Sequence, residues 1–88
     1  MPHSLESLNK KISSAKNKVE VGGIYFHYKN PDQHYVVESI GFIEESEEVC
    51  VVYRALYDEG LVWVRTLANF TQILNSKNSK IPRFQKVE

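Results

Sequence analysis

Cysteine, proline, glycine and arginine are all scarce in this chain of 88 residues, and its formal net charge is zero. A lone Cys50 closes no internal disulfide, so the fold is no disulfide scaffold and the chain suits a reducing, cytoplasmic setting. Zero net charge argues against gripping duplex nucleic acid by bulk charge, and leaves room only for a local basic patch. No apolar run approaches the ~18 residues of a membrane span, and Met1–Lys11 is too polar for a signal peptide, so no membrane is expected as a partner. Gly-rich phosphate loops, Ser-His-Asp sets and spaced metal ligands are missing, so no cofactor and no metal are expected. Catalysis finds little support, with His27 the only candidate base. Asn69-Phe70-Thr71 fits a glycosylation pattern, but nothing else points to secretion, and it is read as chance.

What is present is ordinary globular material, 42% apolar and 25% charged. The length fits one domain, which would bury roughly 60–65% of its unfolded surface. Residues 1–22 read as an N-terminal helix and linker, residues 23–88 as a small β domain. Ser4 is an N-cap, and Leu5, Leu8, Ile12, Ala15 and Val19 form one apolar stripe at helical spacing. Lys10, Lys11, Lys16 and Lys18 lie off it, toward the end favoured by the helix dipole.

From Ile24 the period becomes two. Ile24, Phe26 and Tyr28 alternate with Tyr25, His27 and Lys29, and Asn30-Pro31-Asp32-Gln33 makes a turn into a strand from His34 to about Ile43. With that loop Tyr28 faces Tyr35. Ile24, Phe26, Tyr28, Tyr35 and Val37 would line the core, with Tyr25, His27, Lys29, His34 and Glu38 on the wet face. Glu44-Glu45-Ser46-Glu47-Glu48 is a solvated turn that guards its neighbouring edge.

The strand Val49–Tyr57 is apolar on both parities except at Arg54. An even turn before it would drive the guanidinium into the core, where an unpaired charge costs several kcal/mol. An odd turn of about five residues is expected, setting Arg54 opposite Glu38 and Val51, Tyr53, Ala55 and Tyr57 inward. Asp58-Glu59-Gly60 then closes a hairpin with Gly60 left-handed, pairing Tyr57 with Leu61, Ala55 with Trp63 and Tyr53 with Arg65. The opposite face keeps Ile40, Phe42, Val52, Leu56 and Val62, for which the helix stripe is the natural lid. Leu67–Phe70 reads as one helical turn, Asn75–Lys80 as a polar loop, and Ile81-Pro82-Arg83-Phe84 as a short edge strand. Together these predict a mostly β fold, a small SH3-like barrel of about five short strands with an N-terminal amphipathic helix.

Three pieces carry a resemblance: Ile24-Tyr25-Phe26-His27-Tyr28-Lys29; Val51-Val52-Tyr53-Arg54-Ala55-Leu56-Tyr57 with Trp63-Val64-Arg65; and Pro82-Arg83-Phe84. In order and spacing the chain from about Gly23 to Val87 resembles a small bacterial family, domain of unknown function family 1653. The resemblance implies a compact, mostly β domain and no assigned activity. Where that family usually has Gly after the His-Tyr-Lys strand, this chain has Asn30-Pro31-Asp32-Gln33. Where it usually has Pro after Trp-x-Arg, this chain has Thr66. The helix lies outside the resemblance.

Arg54, Arg65 and Arg83 each lie within two residues of an aromatic (Tyr53, Trp63, Phe84), while the lysines lie in the helix, turns or tail. Arginine makes forked contacts to carboxylate and phosphate and stacks on rings. If the arginines converge, Arg54, Arg65, Arg83, Trp63 and His27 would form an anion pocket with aromatic walls. Such a site suits a nucleotide, single-stranded nucleic acid or an acidic peptide. The plainer reading is that the arginines clamp Glu38, Glu59 and nearby carbonyls. A tyrosine groove for proline-rich peptide conflicts with parity, which buries most of the tyrosines. His27 with His34 is too sparse for zinc. Cys50 among valines reads as a buried thiol. A rival to the binding reading is an interaction module whose Leu5–Val19 stripe meets a protein partner or makes a homo-oligomer.

Overall fold

The apolar stripe winds into a helix, α1 (Leu5–Lys18), whose N-cap is Ser4, as the Ser7 amide donates to the Ser4 hydroxyl. In this computed structural model, which describes residues 4–87, Ala15 and Val19 are fully buried, Leu8 and Ile12 half-buried, and Leu5 exposed. The strands are β1 (Ile24–His27), β2 (His34–Ile43), β3 (Glu48–Ala55) and β4 (Val62–Thr66). A single turn, α2 (Leu67–Phe70), precedes β5 (Ile73–Ser76), β6 (Ser79–Pro82) and β7 (Phe84–Lys86). Among the described residues no helix is long and apolar enough to cross a membrane.

The mostly β architecture with an N-terminal helix is as expected, but the sheet is open. Its order is β4-β3-β2-β1-β7, all antiparallel, with β5 and β6 forming a separate ribbon. The end of the chain returns beside β1, yet no ladder joins β4 to β7. Closure needs long, tilted strands; β7 has three residues, and β4 gives way at Thr66, whose hydroxyl caps α2. The polar stretch expected to be a loop is the tip of the ribbon, with Lys77 and Asn78 both at positive φ in a two-residue turn. The expected last strand is split: Ile81 and Pro82 end β6, Phe84 begins β7, and Arg83 lies between.

Two registers differ from the expected ones, with different consequences. Between β1 and β2 the chain makes two successive turns, closed by Asn30 N–H to His27 O and Gln33 N–H to Asn30 O. Tyr25 therefore pairs with Tyr35, and Phe26 with His34. The shift is odd, so it exchanges faces: Tyr25 and His27 join the core face, and Ile24 and Phe26 leave it. Between β3 and β4 the shift is two residues, pairing Tyr53 with Trp63 and Val51 with Arg65, and parity survives. Gly60 is left-handed as expected (φ 68°).

The turn before β3 is even, yet Arg54 still points out. A bulge between Val37 and Ser39 supplies the missing residue, so Ile40 pairs with Val51 while Val36 pairs with Arg54. The same bulge moves Ile40 and Phe42 onto the core face. There they meet α1, which covers that face and not the opposite one.

The core joins Ala15 and Val19 of α1, Leu67 and Phe70 of α2, and Tyr25, Val37, Val51, Tyr53 and Phe84 of the sheet. The Tyr25 hydroxyl accepts the Glu20 amide at 3.0 Å, tying the end of α1 to β1. Phe70 and Phe84 stack at 4.2 Å between centroids with planes 4° apart. Because Phe70 is 1% exposed, Phe70→Ala leaves a large cavity and is expected to cost about 3–5 kcal/mol. Guanidinium unfolding of the two proteins measures the difference.

Candidate functional site

The odd register of β1 brings His27 to the core face, where β1, β2, β3, β4 and β7 converge on one aromatic concavity. His27, Tyr35, Tyr53, Tyr57, Trp63, Arg65 and Phe84 line a hollow of about 200 Å³. A second hollow of about 250 Å³, between Ala55, Tyr57, Asp58, Leu61 and Trp63, shares Tyr57 and Trp63 with the first. The two read as one groove crossing the end of the sheet.

The five residues expected to form the site do not all meet. His27, Trp63 and Arg65 line the hollow. Arg83 lies beside it, near enough for its charge to act on His27. Arg54 is on the opposite face, where it forms an ion pair with Glu38. That placement leaves Arg54 out of the group and fits the plainer reading, in which it clamps Glu38. The bulge sets it, by keeping Arg54 out of the core and leaving Glu38 within reach.

Arg65 is held from three sides. Its Nε donates to the Tyr53 hydroxyl at 2.9 Å, its Nη1 donates to Asn69 Oδ1, and its guanidinium lies 5.3 Å from the centre of the Phe84 ring. Arg83 Nε donates to the carbonyl oxygen of the same Asn69 at 3.1 Å, and its Nη2 donates to Gln72 Oε1 at 2.7 Å. Each guanidinium has five N–H donors, so each keeps several unspent. Among the described residues no carboxylate pairs with either one. Asn69 therefore yokes two uncompensated cations at one rim of the hollow. Its role was not legible in the sequence, where it stood only in a chance glycosylation pattern. The signal was its place one helical turn after Arg65, a spacing that matters only once α2 directly follows β4.

Two phenols of the hollow, Tyr35 and Tyr53, are held neutral. Burial, then the hydrogen bond to Tyr57, pushes the Tyr35 hydroxyl up to about 12. Burial also pushes Tyr53 up, against the pull of Arg65. His27 is held below its ordinary value by burial first, then by Arg65, Arg83 and Lys29. Its Nδ1 accepts the Lys29 amide at 3.2 Å, so the proton of the neutral ring sits on Nε2 as a donor. The site thus offers guanidinium, imidazole and phenol donors on aromatic walls. Cys50, by contrast, is buried, and burial with nearby Glu48 pushes its thiol up, so it is a poor nucleophile. Of the α1 stripe, a candidate surface for a partner, Ala15 and Val19 pack into the chain's own core, while Leu5 stays exposed.

Neutral His27 makes stability depend on pH. Below 6.5 the unfolded chain takes up a proton that the folded ring resists. The contribution is therefore complete above 6.5 and lost as pH falls to the lower folded-state value. The Hε1 resonance of His27 is expected to titrate below 6.5, and His27→Gln to flatten the slope of unfolding free energy just below that pH.

Comparison with known proteins places the chain in a wider group. The family described as "Protein of unknown function (DUF1653)" matches residues 23–86. A crystal structure of a protein of that family from Bordetella bronchiseptica is similar to this chain, with 34% identity and a TM-score of 0.60. The alignment covers 72% of this chain and 81% of that one. No curated protein matches.

Proposed function

The chain belongs to the DUF1653 family of proteins of unknown function, and from that premise we propose that it is a non-catalytic binding module for an anionic group carried beside a flat ring. The observation that supports this reading is the pair of arginines yoked by Asn69 without a carboxylate, at the rim of an aromatic hollow. A cation held half-buried with unspent donors is costly unless something completes it. Phosphate and carboxylate are the groups that guanidinium forks complete.

The walls narrow the class. A hollow of about 200 Å³ is smaller than the ~300 Å³ at which sites for whole drug-sized ligands begin, so it would enclose one base or one phosphate. Trp63, 48% exposed, offers a stacking face along the same groove, two residues before Arg65. In a strand that is about 7 Å, comparable to the spacing of base and phosphate within a nucleotide. A nucleotide unit of a single strand, phosphate on Arg65 and Arg83 and base on Trp63, is the ligand class this arrangement favours. His27 would add its Nε2 donor. The lone cysteine fits a cytoplasmic setting for this work.

Amide and indole NMR titration with a short oligothymidylate, ATP and an acidic peptide tests the reading. Shifts are expected around Trp63, Arg65, Arg83 and His27 with the oligonucleotide, strongest at low salt. The bound anion should also raise the His27 titration midpoint. Arg65→Lys and Arg83→Lys keep charge and lose the fork, and each is expected to weaken binding about tenfold, or ~1.4 kcal/mol. No shift at the hollow with any of the three ligands would overturn the proposal; shifts with the acidic peptide alone would replace the nucleotide by a carboxylate ligand.

A further inference from the structure

β4 is an edge strand whose one charged guard is the inward-pointing Arg65. Its sequence, Val62-Trp63-Val64-Arg65-Thr66, contains no proline and no lysine, and its pairing with β3 contains no bulge. Val62 is 52% exposed, Trp63 48% and Val64 60%, and no helix covers the outer side of the strand. The register fixes which backbone groups are free. Ala55 N–H donates to Leu61 O at 2.9 Å, so the hydrogen-bonded pairs run on by twos to Tyr53–Trp63 and Val51–Arg65. Val62 and Val64 therefore turn their N–H and C=O groups outward, and Thr66 its N–H, the Thr66 carbonyl being the first acceptor of α2.

We propose that this edge pairs with the β4 edge of a second copy of the chain, antiparallel about a two-fold axis at Val64. That register satisfies the outward groups. Val64 meets Val64 of the other copy as a hydrogen-bonded pair, and Val62 meets Thr66 on either side. Trp63 of each copy then stands opposite Arg65 of the other, in the closer, non-hydrogen-bonded type of pair. An aromatic beside a cation is a favourable neighbour, and no like charges meet. Moving the axis one residue to Arg65 would set two guanidiniums face to face. On the open face Arg54 is already paired with Glu38, so the apolar stripe Val52, Val62 and Val64 could run across the seam without an uncompensated charge. Trp63 and Arg65 lie symmetrically about Val64 on one face, so the strand is complementary to itself, which favours a second copy over a foreign strand. The pairing sets both hollows on one face of a ten-stranded sheet, flanking the seam, with each copy contributing Trp63 beside the other's Arg65. It stands on the edge geometry and the placement of Trp63 and Arg65, and holds whether or not the hollow takes an anion.

A contact this small belongs to the weak class, with a Kd expected between about 10 μM and 1 mM. Sedimentation of the full chain over that range is expected to show a monomer–dimer equilibrium. Val64→Pro removes only an outward N–H, which an edge strand tolerates, and should leave a folded monomer throughout. Val64→Cys provides a second test that does not depend on that variant folding. The Cα separation of a hydrogen-bonded pair, about 5.5 Å, suits a disulfide, so mild oxidation should give a symmetric covalent dimer, whereas Leu56→Cys should not cross-link. A wild-type chain that stays monomeric at about 1 mM would overturn the proposal, as would a dimer unaffected by Val64→Pro.

Discussion

Phe84 lies face to face with Phe70 and within ring contact of His27, Tyr35 and Tyr53, while the Arg65 guanidinium rests over its ring. One side chain in a strand of three residues thus joins both ends of the domain. It holds β7 beside β1, seats α2 against the sheet and forms the wall of the hollow. In a chain this short each buried ring carries a large share of the apolar contact. The hollow is the solvent-facing side of the same aromatic cluster that stabilises the fold.

Charge in this neutral chain is partitioned by the faces of the sheet. Arg54 has Glu38 on the open face, and Lys86 has Glu20 near the end of α1. Arg65 and Arg83, on the core side, have amide and phenol acceptors only, among the described residues. Neutral acceptors orient a guanidinium without cancelling its charge, so the local potential stays positive although the total is zero. His27, lowered first by burial, is lowered further by that potential.

The same economy leaves the sheet unfinished. With α1, α2 and the aromatic cluster all on one side, valines of β3 and β4 lie on a face that neither helix covers. The sheet does not curl closed, so it retains two edges, and β4 offers the more apolar of them. Anion site and free edge meet at Trp63 and Arg65, which alternate with the valines along one strand. Binding at the hollow and pairing at the edge would therefore share residues.

Local pattern determined a good deal. The helix stripe and its Ser4 cap, the mostly β body, the inward parity of Val51, Tyr53 and Ala55, the left-handed Gly60 and the buried Cys50 follow from periodicity and turn chemistry acting within a few residues. The resemblance to the family was legible for a related reason, since its motifs are short runs of neighbouring residues. Register was not legible, because it depends on loop lengths that side-chain period alone does not fix. Two turns instead of one between β1 and β2 exchanged the faces of Tyr25 and Phe26 and brought His27 into the hollow. One bulge at Glu38 did the work expected of an odd turn, and moved Ile40 and Phe42 under α1. The arginines show the division most plainly. Sequence marked Arg54, Arg65 and Arg83 alike by their aromatic neighbours, and only the tertiary structure could separate them, since whether a cation meets a carboxylate or an amide is decided by which strands lie side by side.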